Sequence, residues 1–147
     1  MNRLTLRNAK RRSPGEDVRL SVRESSIQGR GLFTDDKLLG HRKIGEMTGQ
    51  LISVREARRR AKGATRIAIV ELSNTKAIDA SVGDSPFQFV NHCCHPNLFI
   101  RVAYGRVEFY TLENIAADTE LTCDYGESHH DGTLPCRCGS AKCKKFI

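Results

Sequence analysis

The chain has 147 residues, the length of one ordinary domain, and 39% of them are hydrophobic. Its formal net charge is +7 and its mean hydropathy is −0.44, and no apolar run approaches the ~20 residues that cross a bilayer. The basic first residues lack the apolar core of a secretory signal, so we expect an intracellular, soluble protein with reduced cysteines and no membrane partner.

The predicted elements are mostly short strands. Residues 1–16 form a basic polar arm that ends in the turn signal Ser13-Pro14-Gly15, and no internal repeat follows it. Segments with the apolar or alternating pattern of strands are 18–22, 29–33, 44–52, 66–72, 77–80, 98–103, 106–112 and 120–125. The pattern predicts a β-rich fold, mostly β with one or two short helices.

One helix has explicit start and stop signals. Ser53 and Glu56 are spaced as a capping box, and Gly63 stands where a helix would end. The nine residues 54–62 between them are polar enough to bury only one narrow side. A hairpin is predicted later in the chain, where Tyr104-Gly105 separates two apolar runs.

Basic residues are concentrated in three groups, which could attract nucleic acid or an acidic protein surface. A solvated face without a dedicated partner explains the same pattern, because aromatic residues are few and are not interleaved with the basic runs. Both interpretations stay open. The groups are Arg3, Arg7, Lys10, Arg11 and Arg12; Arg55, Arg58, Arg59, Arg60, Lys62 and Arg66; and Arg137, Lys142, Lys144 and Lys145.

Three cysteines, Cys136, Cys138 and Cys143, fall within eight residues near the C-terminus. The surrounding segment is too short and polar to fold alone, and a structural zinc ion would stabilise it. Zinc requires four ligands, so one ligand must come from elsewhere in the chain. The spacing favours the Cys93-Cys94 pair by elimination but does not choose among Cys93, Cys94, Cys123, His95, His129 and His130.

The segment 91–97, Asn-His-Cys-Cys-His-Pro-Asn, concentrates polar and metal-binding groups directly after an apolar run. Together with five other motifs in order, it resembles the SET-domain family of protein lysine methyltransferases. A single G-x-G would be weak, but six motifs in order are specific. They are Gly29-Arg30-Gly31-Leu32-Phe33; residues 44–56; Ile78-Asp79-Ala80; residues 89–97, similar to F-I-N-H-S-C-x-P-N; residues 120–126, matching E-L-x-x-D-Y-G; and the C-x-C-x4-C set of Cys136, Cys138 and Cys143.

The resemblance implies a domain plan and a fold. Residues 1–16 would be a flexible arm, 17–130 a SET domain of β-clip fold, and 131–147 a zinc-binding post-SET tail, with no pre-SET segment. Segments 91–97 and 120–125 would form a pseudoknot, an exception to the usual unthreaded topology. The resemblance also implies that Cys94 is the fourth zinc ligand, beside Cys136, Cys138 and Cys143.

The resemblance further implies an activity, the transfer of methyl groups from S-adenosylmethionine to a protein lysine, with Tyr125 as the catalytic tyrosine. Histones or other DNA-associated proteins are candidate substrates. The alternative is a SET-fold protein without activity. It would be a zinc-stabilised basic module that binds chromatin or nucleic acid. The implied cofactor contacts are Gly29, Arg30, Gly31, Phe33, Asn91, His92, Tyr125 and Phe146, although Phe146 could equally be a hydrophobic plug.

Three positions depart from the family pattern. Met47 replaces an aromatic residue near the cofactor or lysine, and Gln88 replaces a common arginine. Cys123 stands where the family has Phe or Tyr, a position that restricts how many methyl groups fit. Met47 and Cys123 are therefore expected to line the lysine channel, and the small Cys123 predicts di- or trimethyl products.

Overall fold

The structure is a computed structural model, and it describes residues 18–66, 68–126 and 132–147. The predicted arm 1–16 lies outside these ranges, as do His129 and His130, two of the alternative zinc ligands, and the boundary expected between 130 and 131.

The described part contains ten strands, one α-helix and one 3-10 helix, which confirms the prediction of a mostly β fold. The α-helix α1 spans Val54–Ala61, and the 3-10 helix spans Pro86–Phe89. The strands are β1 Leu20–Glu24, β2 Arg30–Thr34, β3 Lys43–Met47, β4 Gln50–Ser53, β5 Ile69–Glu71, β6 Lys76–Asp79, β7 Asn91–His92, β8 Leu98–Ala103, β9 Arg106–Thr111 and β10 Thr119–Cys123.

The strands form two sheets. The larger has the order β1-β2-β10-β8-β9-β3, with β7 also paired to β10, and the smaller has the order β4-β6-β5. Strand β10 is the centre of the larger sheet, because it pairs antiparallel with β2 and parallel with both β7 and β8. Its parallel partners precede it in sequence and reach it through long connections, as parallel pairs require.

The segments expected to form the pseudoknot lie side by side. Thr122 pairs with Asn91, and Cys123 pairs with His92. The side chain of Asn97 bridges to the same strand, since its Nδ2 donates to the Glu120 carbonyl at 2.8 Å and its Oδ1 accepts from the Thr122 N–H at 2.9 Å. The polar segment 91–97 is therefore attached along the length of β10.

Helix α1 begins and ends close to its predicted signals. The Ser53 hydroxyl accepts a hydrogen bond from the Glu56 N–H at 3.1 Å, and Gly63 has a positive φ of 82°. The Glu56 carboxylate does not complete the capping box but pairs with Arg59 and Arg60. The helix buries a narrow side against the small sheet through Val54, Ala57 and Ala61.

The core lies between the larger sheet and the 3-10 helix. Phe87 of that helix stacks on Phe109 with ring centroids 4.7 Å apart. Gly45 packs closely against the same Phe87 ring, since a Cβ at Gly45 would lie 2.5 Å from it.

The predicted hairpin turns at Tyr104-Gly105, whose φ angles of 53° and 70° suit a two-residue hairpin turn. In the described ranges, no helix has the length and apolar character needed to span a membrane.

Two elements were not predicted from the sequence, the 3-10 helix and the two-residue strand β7. A strand of two residues carries no periodicity of its own, and β7 exists because β10 offers it hydrogen bonds.

Candidate active site and metal centre

A cleft of about 370 Å³ opens where the C-terminal tail meets β7 and the residues after β10. Of the predicted cofactor contacts, Asn91, His92 and Tyr125 line it. The full lining is Ile27, Gln28, Ala64, Thr65, Asn91, His92, Tyr125, Leu134, Pro135, Cys136, Arg137 and Ile147.

Asn91 holds the turn before β2 against β10. Its buried amide Nδ2 lies within 2.9–3.2 Å of the Gln28 and Arg30 carbonyl oxygens, the Ser25 hydroxyl and a carboxylate oxygen of Glu120. The glycine-rich turn and the polar segment 91–97, which are separate motifs in the sequence, thus form one hydrogen-bonded unit beside the cleft.

The glycine-rich segment supports the cleft without lining it. Gly29 has a φ of 46°, and a Cβ on Gly31 would lie 2.2 Å from the Glu120 Oε1 atom. Any side chain at Gly31 would therefore displace the carboxylate that contacts Asn91. Arg30 lies with its guanidinium 5.4 Å from the Phe89 ring centroid, and Phe33 lies beneath the guanidinium of Arg23 at 5.1 Å.

His92 is buried and makes contacts through both ring nitrogens. Its Nδ1 accepts a hydrogen bond from the Tyr125 backbone N–H at 3.0 Å, and its Nε2 lies 3.2 Å from the Cys94 Sγ. Burial lowers the pKa of His92 below its usual value, so the ring is neutral at pH 7. Because Nδ1 is the acceptor, the proton resides on Nε2, which donates toward the sulfur.

Tyr125 lies two residues after the end of β10 and lines the cleft. Its hydroxyl donates a hydrogen bond to the Val90 carbonyl oxygen at 2.7 Å. Burial raises the pKa of Tyr125 well above its usual value, so the phenol keeps its proton at physiological pH. The hydroxyl is thus satisfied, as in an ordinary buried tyrosine, although the residue is one of those that line the cleft.

Met47 and Cys123 belong to the buried core and do not line the cleft. Both are part of the hydrophobic cluster against which Tyr125 packs, and Cys123 is only 1% exposed. Burial raises the pKa of the Cys123 thiol to about 12, so it stays neutral. A channel lined by these two residues remains a prediction.

The structure brings together the four cysteines that the resemblance selected. The Sγ atoms of Cys94, Cys136, Cys138 and Cys143 all lie within 4.8 Å of one another. The Cys94 and Cys136 sulfurs are 3.8 Å apart, and a tetrahedral zinc site with Zn–S bonds of ~2.3 Å has edges of about 3.8 Å. The donor set therefore fits zinc in size and in chemistry.

Of the alternative ligands in the described ranges, Cys93 neighbours the cluster, since its thiol interacts with that of Cys138, but it is not one of the four sulfurs that lie within 4.8 Å of one another. Cys123 is buried in the core, and the Cys93 thiol donates to the His95 carbonyl oxygen at 3.3 Å. Two backbone N–H groups also point at the cluster, from Lys144 to the Cys94 Sγ and from Lys145 to the Cys143 Sγ, both at 3.3 Å. Burial raises the pKa of the Cys94 thiol, and the hydrogen bond from the Lys144 N–H acts in the opposite direction.

The tail reaches the cleft through residues that no motif predicts. Leu134 and Ile147 exchange backbone hydrogen bonds at 3.1 and 2.8 Å, and both line the cleft. Phe146, the predicted contact, is 55% exposed and does not line it. Neighbouring residues of an extended segment point to opposite sides, so the tail directs Ile147 inward and Phe146 outward.

Two further lining residues, Ala64 and Thr65, follow α1. The Gln28 Nε2 donates to the Thr65 carbonyl oxygen at 2.6 Å, which joins this segment to the glycine-rich turn. With a size typical of small-molecule sites and with both apolar and polar walls, the cleft suits an amphipathic nucleoside such as S-adenosylmethionine.

Known proteins of similar sequence share one family and one kind of name. The family model described as SET domain matches residues 29–126. "Histone-lysine N-methyltransferase trithorax" of Drosophila melanogaster is 29% identical over 136 residues, which cover 87% of this chain and 4% of that protein. "Histone-lysine N-methyltransferase, H3 lysine-4 specific" of Saccharomyces cerevisiae is 32% identical over 135 residues, covering 84% of this chain and 12% of that protein.

A third relative, "Histone-lysine N-methyltransferase ASHH1" of Arabidopsis thaliana, is 32% identical over 130 residues, which cover 82% of this chain and 26% of that protein. The chain therefore spans only a small part of the length of these relatives. The family model nevertheless covers the motifs from the glycine-rich turn to Tyr125 and matches most of the chain. The chain belongs to the SET domain family.

Proposed function

We propose that the chain is an S-adenosylmethionine-dependent protein lysine N-methyltransferase. The observation that carries the proposal is the position of Tyr125, which lines a cleft together with Asn91 and His92 and whose hydroxyl is held by the Val90 carbonyl. The relatives named above are all histone-lysine N-methyltransferases by name, which supports the same activity.

When bound, S-adenosylmethionine would supply an electrophilic methyl carbon, which forms a bond to the attacking amine nitrogen as its bond to sulfur breaks and the neutral thioether leaves. The protein's part is positioning, because this displacement needs no covalent help. The amine must be neutral, although the pKa of free lysine is about 10.4, and a dry site disfavours its charged form. Tyr125 keeps its proton for the Val90 carbonyl, so its hydroxyl oxygen can accept a hydrogen bond from the amine and orient its lone pair.

The remaining residues hold this arrangement. Asn91 fixes the glycine-rich turn beside the cleft, and His92 holds the backbone of Tyr125. Cys94, Cys136, Cys138 and Cys143 would hold one structural zinc ion, which ties down the tail whose residues Leu134 and Ile147 cover the cleft. The zinc would stabilise the site and take no part in the reaction.

For the substrate we propose a histone or another DNA-associated protein. The names of these relatives specify histone lysine, and that of the Saccharomyces cerevisiae protein specifies lysine 4 of H3. A second candidate function, a SET-fold module that binds chromatin or nucleic acid without catalysis, is favoured by the departures at Met47 and Cys123. The exposed basic residues of α1 would serve that function.

The test is methyl transfer from radiolabelled S-adenosylmethionine to histones and other basic proteins. We expect transfer by the wild type and a loss of about a hundred-fold or more in Tyr125→Phe. The matched control is Tyr104→Phe, which removes the hydroxyl of a tyrosine that is 89% exposed at the hairpin turn and should change nothing.

Two outcomes would contradict the proposal. Cofactor binding without transfer to any of the proteins would favour the non-catalytic module. Equal transfer by wild type and Tyr125→Phe would remove the tyrosine from the reaction.

A further inference from the structure

Arg66 follows Thr65, a lining residue of the cleft, and its side chain is held by two contacts. Its guanidinium carbon is 4.7 Å from the centroid of the Phe89 ring, and its NH2 group donates to the Gln88 Oε1 at 3.0 Å. Gln88 is only 8% exposed, and its own amide nitrogen reaches the Gly83 carbonyl. The guanidinium is therefore attached to a buried amide and an aromatic ring rather than free in solvent.

This guanidinium has no carboxylate partner within salt-bridge distance in the part of the chain that the structure describes. Neighbouring arginines differ, since Arg58 pairs with Glu71, and Arg60 pairs with Glu56 and Asp79. Gln88 occupies only some of the five N–H donors that a guanidinium carries. The remaining donors of Arg66 are available to an anion.

A second unpaired cation stands close by. The Arg30 guanidinium lies 5.4 Å from the same Phe89 centroid, and no carboxylate of the described residues pairs with it either. Two positive charges near one ring repel each other, and a bound anion would relieve that repulsion. The residue before Arg66, Thr65, lines the cleft.

We propose that Arg66 binds the α-carboxylate at the amino-acid end of the methyl donor. The proposal rests on the proposed function. It adds a residue that lies outside the six family motifs described above. A guanidinium fork matches a carboxylate in geometry and charge, and the donor carries one carboxylate next to its sulfonium. At position 88, where the family commonly has arginine, this chain has glutamine, and the Arg66 side chain places a guanidinium against it.

The experiment compares S-adenosylmethionine with its decarboxylated form by calorimetric titration. We expect Arg66→Gln to weaken binding of S-adenosylmethionine about ten- to a hundred-fold, the loss of one charge-assisted contact. Binding of the decarboxylated ligand should be unchanged, which also shows that the variant is folded. Arg66→Lys should lose less than Arg66→Gln, because it keeps the charge but not the fork.

The matched control is Arg55→Gln, on the exposed face of α1, which should bind both ligands like the wild type. Equal weakening of both ligands in Arg66→Gln, or weakening of neither, would overturn the inference and leave the proposed function standing. Unchanged affinity for both ligands with a raised KM for the protein substrate would assign Arg66 to an acidic group of that substrate instead. A wild type that binds neither ligand would overturn the proposed function together with the inference.

Discussion

The Nε2 atom of His92 lies 3.2 Å from the Sγ atom of Cys94, two residues further along the chain. The opposite nitrogen of the same ring accepts the backbone N–H of Tyr125. One buried imidazole therefore joins the cysteine cluster to the residue proposed to orient the substrate amine. Because the ring is neutral and its proton is on Nε2, the two contacts act together and fix one orientation of the ring.

The two contacts of His92 can be separated by substitution. The asparagine side chain of His92→Asn is short, so its amide oxygen can replace Nδ1 as the acceptor of the Tyr125 N–H. The longer glutamine side chain of His92→Gln can instead place its amide nitrogen where Nε2 donates toward Cys94. We expect His92→Asn to weaken zinc affinity about ten- to a hundred-fold, as loss of an outer hydrogen bond to a metal ligand does. His92→Gln should keep zinc but lose methyl transfer.

Competition with a chelator measures the zinc affinity of each variant. Methyl transfer is then measured with the zinc-loaded variants. Identical behaviour of the two variants in both assays would show that the imidazole does not couple the centres.

Zinc content should distinguish the adjacent cysteines. Cys94 lies in the four-sulfur cluster, whereas the Cys93 thiol donates to a backbone carbonyl. Cys94→Ser should therefore lose the zinc ion and, through release of the tail, most of the activity, while Cys93→Ser should keep both. Elemental analysis of the purified variants measures the stoichiometry. One zinc per chain in Cys94→Ser, or its loss in Cys93→Ser, would assign the fourth ligand differently.

The number of methyl groups added should depend on Cys123. A small side chain at this position leaves room for a lysine that already carries one methyl group, so di- or trimethyl products are expected from the wild type. Cys123→Tyr should shift the products toward monomethyl-lysine, and mass spectrometry of the substrate reads the distribution. Since Cys123 is almost fully buried, Cys123→Ser, with little change in volume, is the control for core damage.

Strictly monomethyl product from the wild type would contradict this prediction. An unchanged distribution in a folded, active Cys123→Tyr would do the same.

The buried carboxylate of Asp79 should make stability depend on pH. Burial alone would raise its pKa, but hydrogen bonds from Ser81 and Arg60 lower it below the usual value of 3.8. A depressed pKa means that the stabilisation is present above that value and is lost as the pH falls through the folded-state pKa. Asp79→Asn should cost about 1.5–3 kcal/mol in free energy of unfolding at pH 7.

Urea unfolding between about pH 5 and pH 2 measures this dependence, and the difference between wild type and Asp79→Asn should shrink as the solution becomes more acidic. The control is Asp84→Asn at an exposed position, which should follow the wild type throughout. A difference that persists at acid pH would show that lost packing, and not lost charge, destabilises the variant.

Much of the fold could be predicted because its signals are local. The helix follows from Ser53 and Gly63, and the β8–β9 hairpin from Tyr104-Gly105 between apolar runs. Strand β7 and the 3-10 helix could not be predicted, since two or four residues carry no period, and pairing with β10 defines β7. The same limit applies to the cleft, which includes Thr65 and Ile147, residues without any distinguishing pattern.

By itself the sequence determined the kind of protein, because six ordered motifs and three clustered cysteines are specific as residue types and spacings. Only the tertiary structure decided which groups meet. It turned Ile147 rather than Phe146 into the cleft and brought Arg66 onto Gln88. These choices depend on the direction in which a side chain points and on contacts between distant segments, and neither is encoded in spacing along the chain.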